Sequence, residues 1–131
     1  MTTERVFLAA DLGAESGRVV AGRYDGNRLI LEEIHRFLNI TTELNGSLHW
    51  NIQQLYHEIK QGIRMGVERF GDKVQSVGID TWGCDYGLLD KNWRLCGTPH
   101  CYRDERVNGI EERLYKKISR EDLYGNTGIQ T

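Results

Sequence analysis

A carboxylate followed by a glycine-rich loop is the first feature of the sequence that could do chemistry. Asp11 ends a short apolar run, and two glycines lie within the next six residues. Backbone N–H groups in such a turn can bind a phosphate, and Asp11 could hold Mg²⁺ through water, because this cation prefers carboxylate and water oxygens. The loop matches neither the Walker A motif nor the dinucleotide fingerprint, so an ordinary hairpin is the alternative. The candidate phosphate-binding residues are Gly13, Ala14, Glu15, Ser16 and Gly17.

A second cluster of polar and aromatic residues follows the apolar segment 74–79. Asp80 ends that segment, and the carboxyl ends of buried strands are where open α/β sheets bind ligands. Trp82 could stack on a sugar ring, Gly83 would let a ligand approach the backbone, and Asp85 could accept hydrogen bonds from sugar hydroxyls. The alternative is a plain strand exit, with Trp82 in the core and Asp85 as a cap or a surface charge.

Two arginines near residue 104 are the third candidate. Arg103 and Arg106 could bind a phosphate or carboxylate in bidentate fashion. The alternative is that Asp104 opens a helix while the arginines are solvated. We predict no zinc site nearby, because Cys96, His100 and Cys101 are only three ligands and match no standard zinc module.

Composition limits the partners that the chain can have. Its 131 residues fit one globular domain, with 39% apolar and 27% charged residues. Seventeen basic and 19 acidic residues give a net charge of −2, so we expect neither nucleic acid nor a membrane as partner. Three scattered cysteines, no secretory leader and no long apolar run indicate a cytoplasmic protein.

The hydrophobic pattern predicts an α/β fold. Apolar runs and an Asp-Gly-Asn turn predict three antiparallel strands at 6–11, 18–24 and 29–37, followed by a polar loop over 38–50. A stripe with helical spacing then predicts a helix from Asn51 to Gly71, and residues 74–80 form another buried strand. A right-handed crossover would place strand 74–80 beside strand 6–11, so that Asp11 and Asp80 leave the mixed sheet on the same side.

The remaining third of the chain carries weaker signals. An Asp-Lys-Asn turn at 90–92 predicts a hairpin between 86–89 and 93–95. The spacing of apolar residues predicts a helix over 107–118, followed by a short helical turn that ends at Gly125.

Five segments together resemble the N-terminal domain of the FGGY-family carbohydrate kinases, over essentially the whole chain and in the same order. They read DLGAESGRVVAGRY, IHRF, VGIDTWGCDYGLLD, GTPHCYRDERVNG and LYGNTGIQ. Within the family the likeness is strongest to the members that phosphorylate L-rhamnulose. The resemblance implies an RNase H-like domain of the actin-like ATPase superfamily, and an enzyme that uses ATP and Mg²⁺ in a cleft between two domains.

The resemblance also implies roles for individual residues. Asp11 would belong to the Mg²⁺ site, and loop 13–17 would face the ATP phosphates. The sugar pocket and the adjoining family signature would include Trp82, Gly83, Asp85, Arg103 and Asp104, with the separate roles of the last two unassigned. Glu15 and Cys84 stand where this pattern often has Ser and Val, which leaves the choice of sugar open.

The same resemblance places the general base and the adenosine pocket in a C-terminal domain that would follow residue 131. That domain is the expected partner, and we expect these 131 residues alone to lack kinase turnover. The alternatives are a kinase for another ketose such as L-fuculose, or an RNase H-like nuclease holding metal ions on Asp11, Glu58 and Asp80.

Overall fold

A four-stranded mixed sheet with one long helix against it forms the larger part of the chain. The computed structural model describes residues 4–130. The strands are β1 (Arg5–Leu12), β2 (Ser16–Tyr24), β3 (Leu29–Leu38), β4 (Thr41–Leu44), β5 (Ser47–Trp50) and β6 (Val74–Asp80). The helices are α1 (Ile52–Phe70), α2 (Ile110–Tyr115) and α3 (Arg120–Thr127), with 3₁₀ turns at Gly71–Lys73 and Glu105–Val107.

The sheet has the strand order β3-β2-β1-β6. Strand β1 pairs antiparallel with β2 and parallel with β6, and α1 provides the crossover between the antiparallel strands and β6. In the parallel register Asp11 lies opposite Asp80. The predicted strand pairing and the predicted neighbourhood of these two aspartates are therefore confirmed. The prediction that residues 74–80 are buried is wrong, because β6 is an edge strand and all of its residues except the half-buried Val74 are exposed.

Helix α1 packs against one face of the sheet. The alternation of β1 buries Val6, Leu8 and Ala10, which are at most 2% exposed, while the residues between them face the other side. Two helix glycines allow close packing here. A Cβ on Gly62 would lie 2.4 Å from Cγ2 of Val19, and one on Gly66 would lie 2.8 Å from Cδ2 of Leu8. Larger side chains at these positions would push the helix away from the sheet.

Asn51 and Gly71 cap the two ends of α1. The side chain of Asn51 accepts a hydrogen bond from the backbone N–H of Gln54 at 3.1 Å. At the other end Gly71 has φ 52°, a conformation that glycine adopts more easily than other residues. The prediction of one helix between these two residues is confirmed.

The predicted polar loop over 38–50 is wrong. Strands β4 and β5 form a hairpin there, joined by Asn45 and Gly46, whose φ angles are 52° and 77°. Positive φ at both central residues is typical of the tight hairpin turns that Asn-Gly favours. This hairpin packs beside residues 98–104, because the N–H of Trp50 donates to the carbonyl of Pro99 and that of Cys101 to the carbonyl of Leu48.

Three predictions for the last third need correction. The hairpin around 90–92 is reduced to a single bridge between Leu89 and Leu95. The helix predicted over 107–118 is a 3₁₀ turn followed by the short α2, because Gly109 interrupts it with φ 71°. Helix α3 passes through Gly125 and ends at Thr127, where Gly128 caps it with φ 67°. Among the helices of residues 4–130, none is long and apolar enough to cross a membrane.

Candidate functional site

Asp11 and Asp80 form a carboxylate pair at the carboxyl ends of two neighbouring parallel strands. Arg18 lies directly across from Asp11 on β2, and its Nε and Nη2 atoms are 2.9 and 2.8 Å from Oδ2 of Asp11. The side chain of Asp11 is still 38% exposed. One arginine therefore balances part of the charge of the pair while leaving it open to solvent.

This pair fits a magnesium ion by the chemistry of its donors. Mg²⁺ is commonly held by one or two carboxylates while it keeps several of its waters. Within residues 4–130 no group of three or more His, Cys, Asp or Glu side chains could enclose a metal. Two adjacent carboxylates with solvent access suit a hydrated ion. The role of Asp11 in such a site stays a prediction.

The glycine-rich loop 13–17 comprises the turn 13–15 between β1 and β2 and the first two residues of β2. The N–H of Gly13 donates to the carbonyl of Ser16 at 3.0 Å, and that of Asn39 donates to the carbonyl of Glu15 at 2.9 Å. The Asn39 side chain also donates to the carbonyl of Gly13. The alternative of a tight hairpin therefore describes the backbone of this loop correctly, and phosphate binding by it stays a prediction.

Gly17 has a packing reason to be glycine. A Cβ at this position would lie 2.3 Å from the ring of Phe37, which is 7% exposed. The close contact with an aromatic ring explains this glycine without a phosphate. At Gly13, a Cβ would lie 3.0 Å from the carbonyl oxygen of Ser16, so the tightness of the turn itself favours glycine there.

The carboxylate of Asp85 is held by two tryptophan side chains. Nε1 of Trp50 donates to Oδ2 at 2.6 Å, and Nε1 of Trp82 donates to the same oxygen at 2.8 Å. The two indole rings lie with their centroids 4.5 Å apart at an interplanar angle of 37°. Trp50 is 2% exposed and comes from β5, so a buried residue of the hairpin orients a carboxylate 35 positions later in the chain.

Asp85 borders two neighbouring hollows. The larger has a volume of about 500 Å³ and is lined by Asp85 together with Cys84, Tyr86, His100, Tyr102 and Arg106. The smaller, about 280 Å³, is mostly apolar and includes Trp50 and Trp82 in its wall. A carboxylate beside aromatic rings and an apolar wall is a chemistry suited to a sugar, which has hydroxyls at its edge and C–H groups on its face.

The predicted pocket residues Trp82 and Gly83 lie beside Asp85. Trp82 uses its N–H for Asp85, and its ring faces Trp50, so any stacking on a ligand would involve the remaining surface of that ring. Gly83 is exposed, and within the described part of the chain no heavy atom outside its chain neighbours lies within 4 Å of where its Cβ would stand. The space next to Gly83 is therefore open.

Arg103 and Asp104 are not brought into these hollows. Asp104 is only 4% exposed and accepts the backbone N–H groups of Leu48 and Arg106, the second at 2.9 Å. The N–H of Leu48 is the main reason why the pKa of Asp104 lies below its ordinary value. The guanidinium of Arg103 lies over the ring of Tyr102 at 5.4 Å, and Arg103 lines a separate hollow of about 350 Å³ beside Ser47. Asp104 thus holds the backbone of the hairpin and of the following turn in place. Substrate binding by Arg103 or Asp104 stays a prediction.

His100 adds a ring with hydrogen-bonding nitrogens to the two tyrosines of the larger hollow. Its ring centroid is 4.2 Å from that of His49, whose Nδ1–H donates to the carbonyl of Thr98 at 2.9 Å. Burial is the main cause that lowers the pKa of His100, and the positive charge of Arg106 lowers it further. Since its ordinary value is 6.5, the His100 imidazole is neutral at pH 7.

The layout of the nuclease alternative is not present. Glu58 on α1 lies over the edge of the sheet opposite to β6, where its Oε2 is 2.6 Å from Nε2 of His35 on β3. Strands β3 and β6 are separated by two others, so Glu58 contacts a strand about 14 Å from the one that carries Asp80. The three carboxylates do not gather at one point.

Sequence reasoning missed Trp50 and His100 as site residues. The sequence pattern predicts a polar loop at Trp50, although Asn45-Gly46 between two short segments is a strong hairpin signal. His100 carries no local signal. Its place in the hollow depends on the pairing of residue 100 with residue 49 across the chain.

Solved structures of sugar and polyol kinases share this fold. Gluconate kinase from Lactobacillus acidophilus matches with a TM-score of 0.79 at 11% identity, over 97% of this chain and 25% of that one. Xylulose kinase from the same species matches with a TM-score of 0.74 at 11% identity, over 92% and 24%. Glycerol kinase from Plasmodium falciparum matches with 0.67 at 19%, over 92% and 24%. The chain thus has the RNase H-like fold of the matched part of these kinases, as predicted.

Sequence comparison points to one kind of kinase within this class. The chain is 44% identical over 124 residues to a rhamnulokinase from Bacteroides thetaiotaomicron, covering 95% of the chain and 25% of the relative. It is 46% identical over 123 residues to a rhamnulokinase from Oceanobacillus iheyensis, covering 94% and 26%. The predicted resemblance to sugar kinases that act on rhamnulose is confirmed at this level.

The match is to a part of these enzymes. The chain spans about a quarter of the length of the curated relatives that it matches, including 26% of a rhamnulokinase from Enterobacter sp. (strain 638) at 43% identity over 130 residues. No family model matches the chain. The fold and the homology with rhamnulokinases thus concern this segment.

Proposed function

We propose that residues 1–131 form the sugar- and phosphate-binding domain of an ATP-dependent kinase that converts L-rhamnulose to L-rhamnulose 1-phosphate. The observation that carries this proposal is the 44% identity over 124 residues with a rhamnulokinase. Another ketose such as L-fuculose is the second candidate substrate. We also propose the cytoplasm as the location, because the enzyme needs ATP and its three cysteines are free thiols.

The sugar would bind against Asp85 in the larger hollow. A volume of about 500 Å³ is enough for a six-carbon ketose, and the hollow contains both a carboxylate and aromatic side chains. Asp85 would accept hydrogen bonds from hydroxyl groups, while the open space at Gly83 would let the sugar approach the backbone. The neutral ring of His100 could accept or donate one further hydrogen bond without adding charge.

The phosphate groups of ATP would lie at the carboxyl ends of β1 and β6. Loop 13–17 follows β1 directly, and Asp11 and Asp80 lie beside it. When bound there, Mg²⁺ supplies charge neutralisation at the phosphate oxygens. Asp11 would hold the hydrated ion through its waters, and Arg18 would keep the Asp11 carboxylate in place. Loop 13–17 (Gly13, Ala14, Glu15, Ser16 and Gly17) would face the phosphates, and because the N–H of Gly13 is already bonded to the carbonyl of Ser16, the donors would come from the rest of the loop.

Turnover would need a second domain across the cleft. Phosphoryl transfer depends on positioning and on charge stabilisation from both sides of the reacting groups. We propose that the general base and the adenosine pocket belong to that second domain, and that the 131-residue chain binds sugar without transferring phosphate. Rhamnulose- and ATP-dependent turnover by this chain at the rate of a complete kinase would contradict this part of the proposal.

A thermal-shift series with ketoses tests the sugar site. L-Rhamnulose at ten times its dissociation constant should stabilise the chain by about 1.4 kcal/mol, which for a domain of this size raises Tm by about 5 °C. Asp85→Ala should abolish the shift. Glu68→Ala, which removes an exposed carboxylate from α1, should keep it.

The pattern across the series decides between the candidates. A larger shift with L-fuculose than with L-rhamnulose would move the assignment to the second ketose. No shift with any ketose, in a chain that unfolds cooperatively, would contradict the sugar site. An equal loss of the shift in Asp85→Ala and Glu68→Ala would contradict a specific contact between Asp85 and the sugar.

A further inference from the structure

We propose that Trp50 is a positioning residue of the sugar site and that it acts together with Trp82 by orienting the carboxylate of Asp85. This inference rests on the proposed function, because Asp85 must contact the sugar for its orientation to matter. It starts from one geometric fact. Both indole N–H groups donate to the same carboxylate oxygen, Oδ2, at 2.6 and 2.8 Å.

The two donors come from parts of the chain that are held independently. Trp50 ends β5 and is 2% exposed, so its ring is fixed by the packing of the hairpin. Its backbone N–H donates to the carbonyl of Pro99 at 3.0 Å, which ties the hairpin to the segment that lines the hollow. Trp82 follows β6, the strand beside β1 in the main sheet. Asp85 is thus held between the hairpin and the sheet.

The two oxygens of the Asp85 carboxylate therefore have different roles: one is held by the protein and the other is free to contact a ligand. Among the contacts of residues 4–130, both indole hydrogen bonds end on Oδ2 and none is made to Oδ1. Asp85 lines the larger hollow, so Oδ1 is the acceptor left for a hydroxyl group there. Hydrogen bonds to a charged acceptor are among the stronger ones, and two of them remove the rotation of the carboxylate before the sugar arrives.

Preorganisation of this kind lowers the cost of binding. A side chain that is already fixed does not have to be immobilised by the ligand, and for one such side chain the difference corresponds to about three- to tenfold in affinity. Trp50 would thus affect sugar binding without touching the sugar. The class of ligand that benefits is a polyhydroxylated one, because its hydroxyl groups can donate to the free oxygen of the Asp85 carboxylate.

Indole N–H resonances of the ¹⁵N-labelled chain test the first half of the inference. The chain has three tryptophans, so three indole signals can be assigned from single Trp→Phe variants. Asp85→Ala should shift the signals of Trp50 and Trp82 and speed their hydrogen exchange. The signal of Trp93, which is 83% exposed, should not change. Unchanged signals of Trp50 and Trp82 in Asp85→Ala would overturn the inference.

Sugar affinity tests the second half. Trp50→Phe keeps an aromatic ring but removes the donor, and it should weaken L-rhamnulose binding about three- to tenfold. The matched variant Trp93→Phe should bind as the wild type does. Asp85→Asn should keep both indole signals near their wild-type positions, because its amide oxygen can replace Oδ2, while its NH₂ group replaces the acceptor Oδ1 and sugar binding is lost.

The outcomes separate this inference from the proposed function. If Asp85→Asn loses sugar binding while Trp50→Phe binds within twofold of Trp93→Phe, the sugar site stands and the positioning role of Trp50 is overturned. If the wild type binds no ketose although its indole signals respond to Asp85→Ala, the proposed function fails and the inference fails with it.

Discussion

Asp11 and Asp80 stand side by side at the carboxyl ends of β1 and β6, because the two strands pair in parallel register at these residues. Like charges on directly neighbouring strands repel each other, and Arg18 contacts Asp11 at 2.8 Å. The sheet therefore holds two acidic groups together with one basic group to balance them. Such an arrangement costs stability unless a cation is also present.

We predict that Asp80→Asn stabilises the chain in the absence of divalent ions, by about 0.5 kcal/mol, because it removes the repulsion from Asp11. Adding millimolar MgCl₂ should raise Tm of the wild type more than that of the variant, since an ion that binds only the folded state stabilises it. Thermal unfolding at matched ionic strength measures both effects. A lower Tm for Asp80→Asn without magnesium would contradict the repulsion between the two carboxylates.

Helix α1 owes its close contact with the sheet to Gly62. We predict that Gly62→Ala destabilises the chain by about 1–3 kcal/mol, because the new methyl group would lie 2.4 Å from a methyl group of Val19. Urea unfolding measures the change. The matched control is Gly125→Ala in α3, where within the described residues no heavy atom lies within 4 Å of the added Cβ. That variant should gain up to about 1 kcal/mol from helix propensity, and equal losses in the two variants would contradict the packing argument.

The parts of the fold that were predictable are those with a strong period in the sequence. The stripe of α1 and the alternation of β1 extend over enough residues to distinguish a helix from a strand. From these elements the right-handed crossover follows, and with it the neighbourhood of Asp11 and Asp80. The hairpin β4–β5 was not predicted, because its strands have four residues each and carry mostly polar side chains.

The candidate site was predictable only where it follows a strand directly. Asp85 is predictable as a site residue because it comes shortly after β6. Trp50 lies 35 positions earlier, and the sequence around it does not indicate a contact with Asp85. The same holds for Asp104, whose partner Leu48 is 56 positions away. Contacts of this kind depend on how the hairpin packs against residues 98–104. A single sequence gives no periodic signal for such packing.

The stability of the chain in acid should depend on Asp104. Hydrogen bonds from Leu48 and Arg106 lower the pKa of this carboxyl below its ordinary value of 3.8. A lowered folded-state pKa stabilises the folded chain above pH 3.8, and this contribution is lost as the pH falls through the folded-state pKa. We predict that Asp104→Asn is less stable than the wild type at pH 7 and that the difference shrinks below pH 3.8.

Urea unfolding of both proteins between pH 7 and pH 2.5 measures this dependence. The quantity to compare is the difference in unfolding free energy between the two proteins at each pH. The pKa values of Glu4, Asp25 and Glu33 are also lowered, and these groups change the stability of both proteins alike. A constant difference over the whole range would mean that the Asp104 carboxylate makes no pH-dependent contribution.

The pKa of His100 in the larger hollow should depend on Arg106. Burial lowers the pKa of His100 below 6.5, and the positive charge of Arg106 is the next cause. We predict that Arg106→Gln raises the pKa of His100 toward its ordinary value without reaching it, because burial remains. The titration of the His100 ring signals by NMR, assigned with His100→Gln, measures this pKa. Arg103→Gln is the matched control, since it removes the same charge from the neighbouring guanidinium that lies over Tyr102. A rise of equal size in both variants would show that the pKa responds to net charge and not to the arginine that shares the hollow with His100.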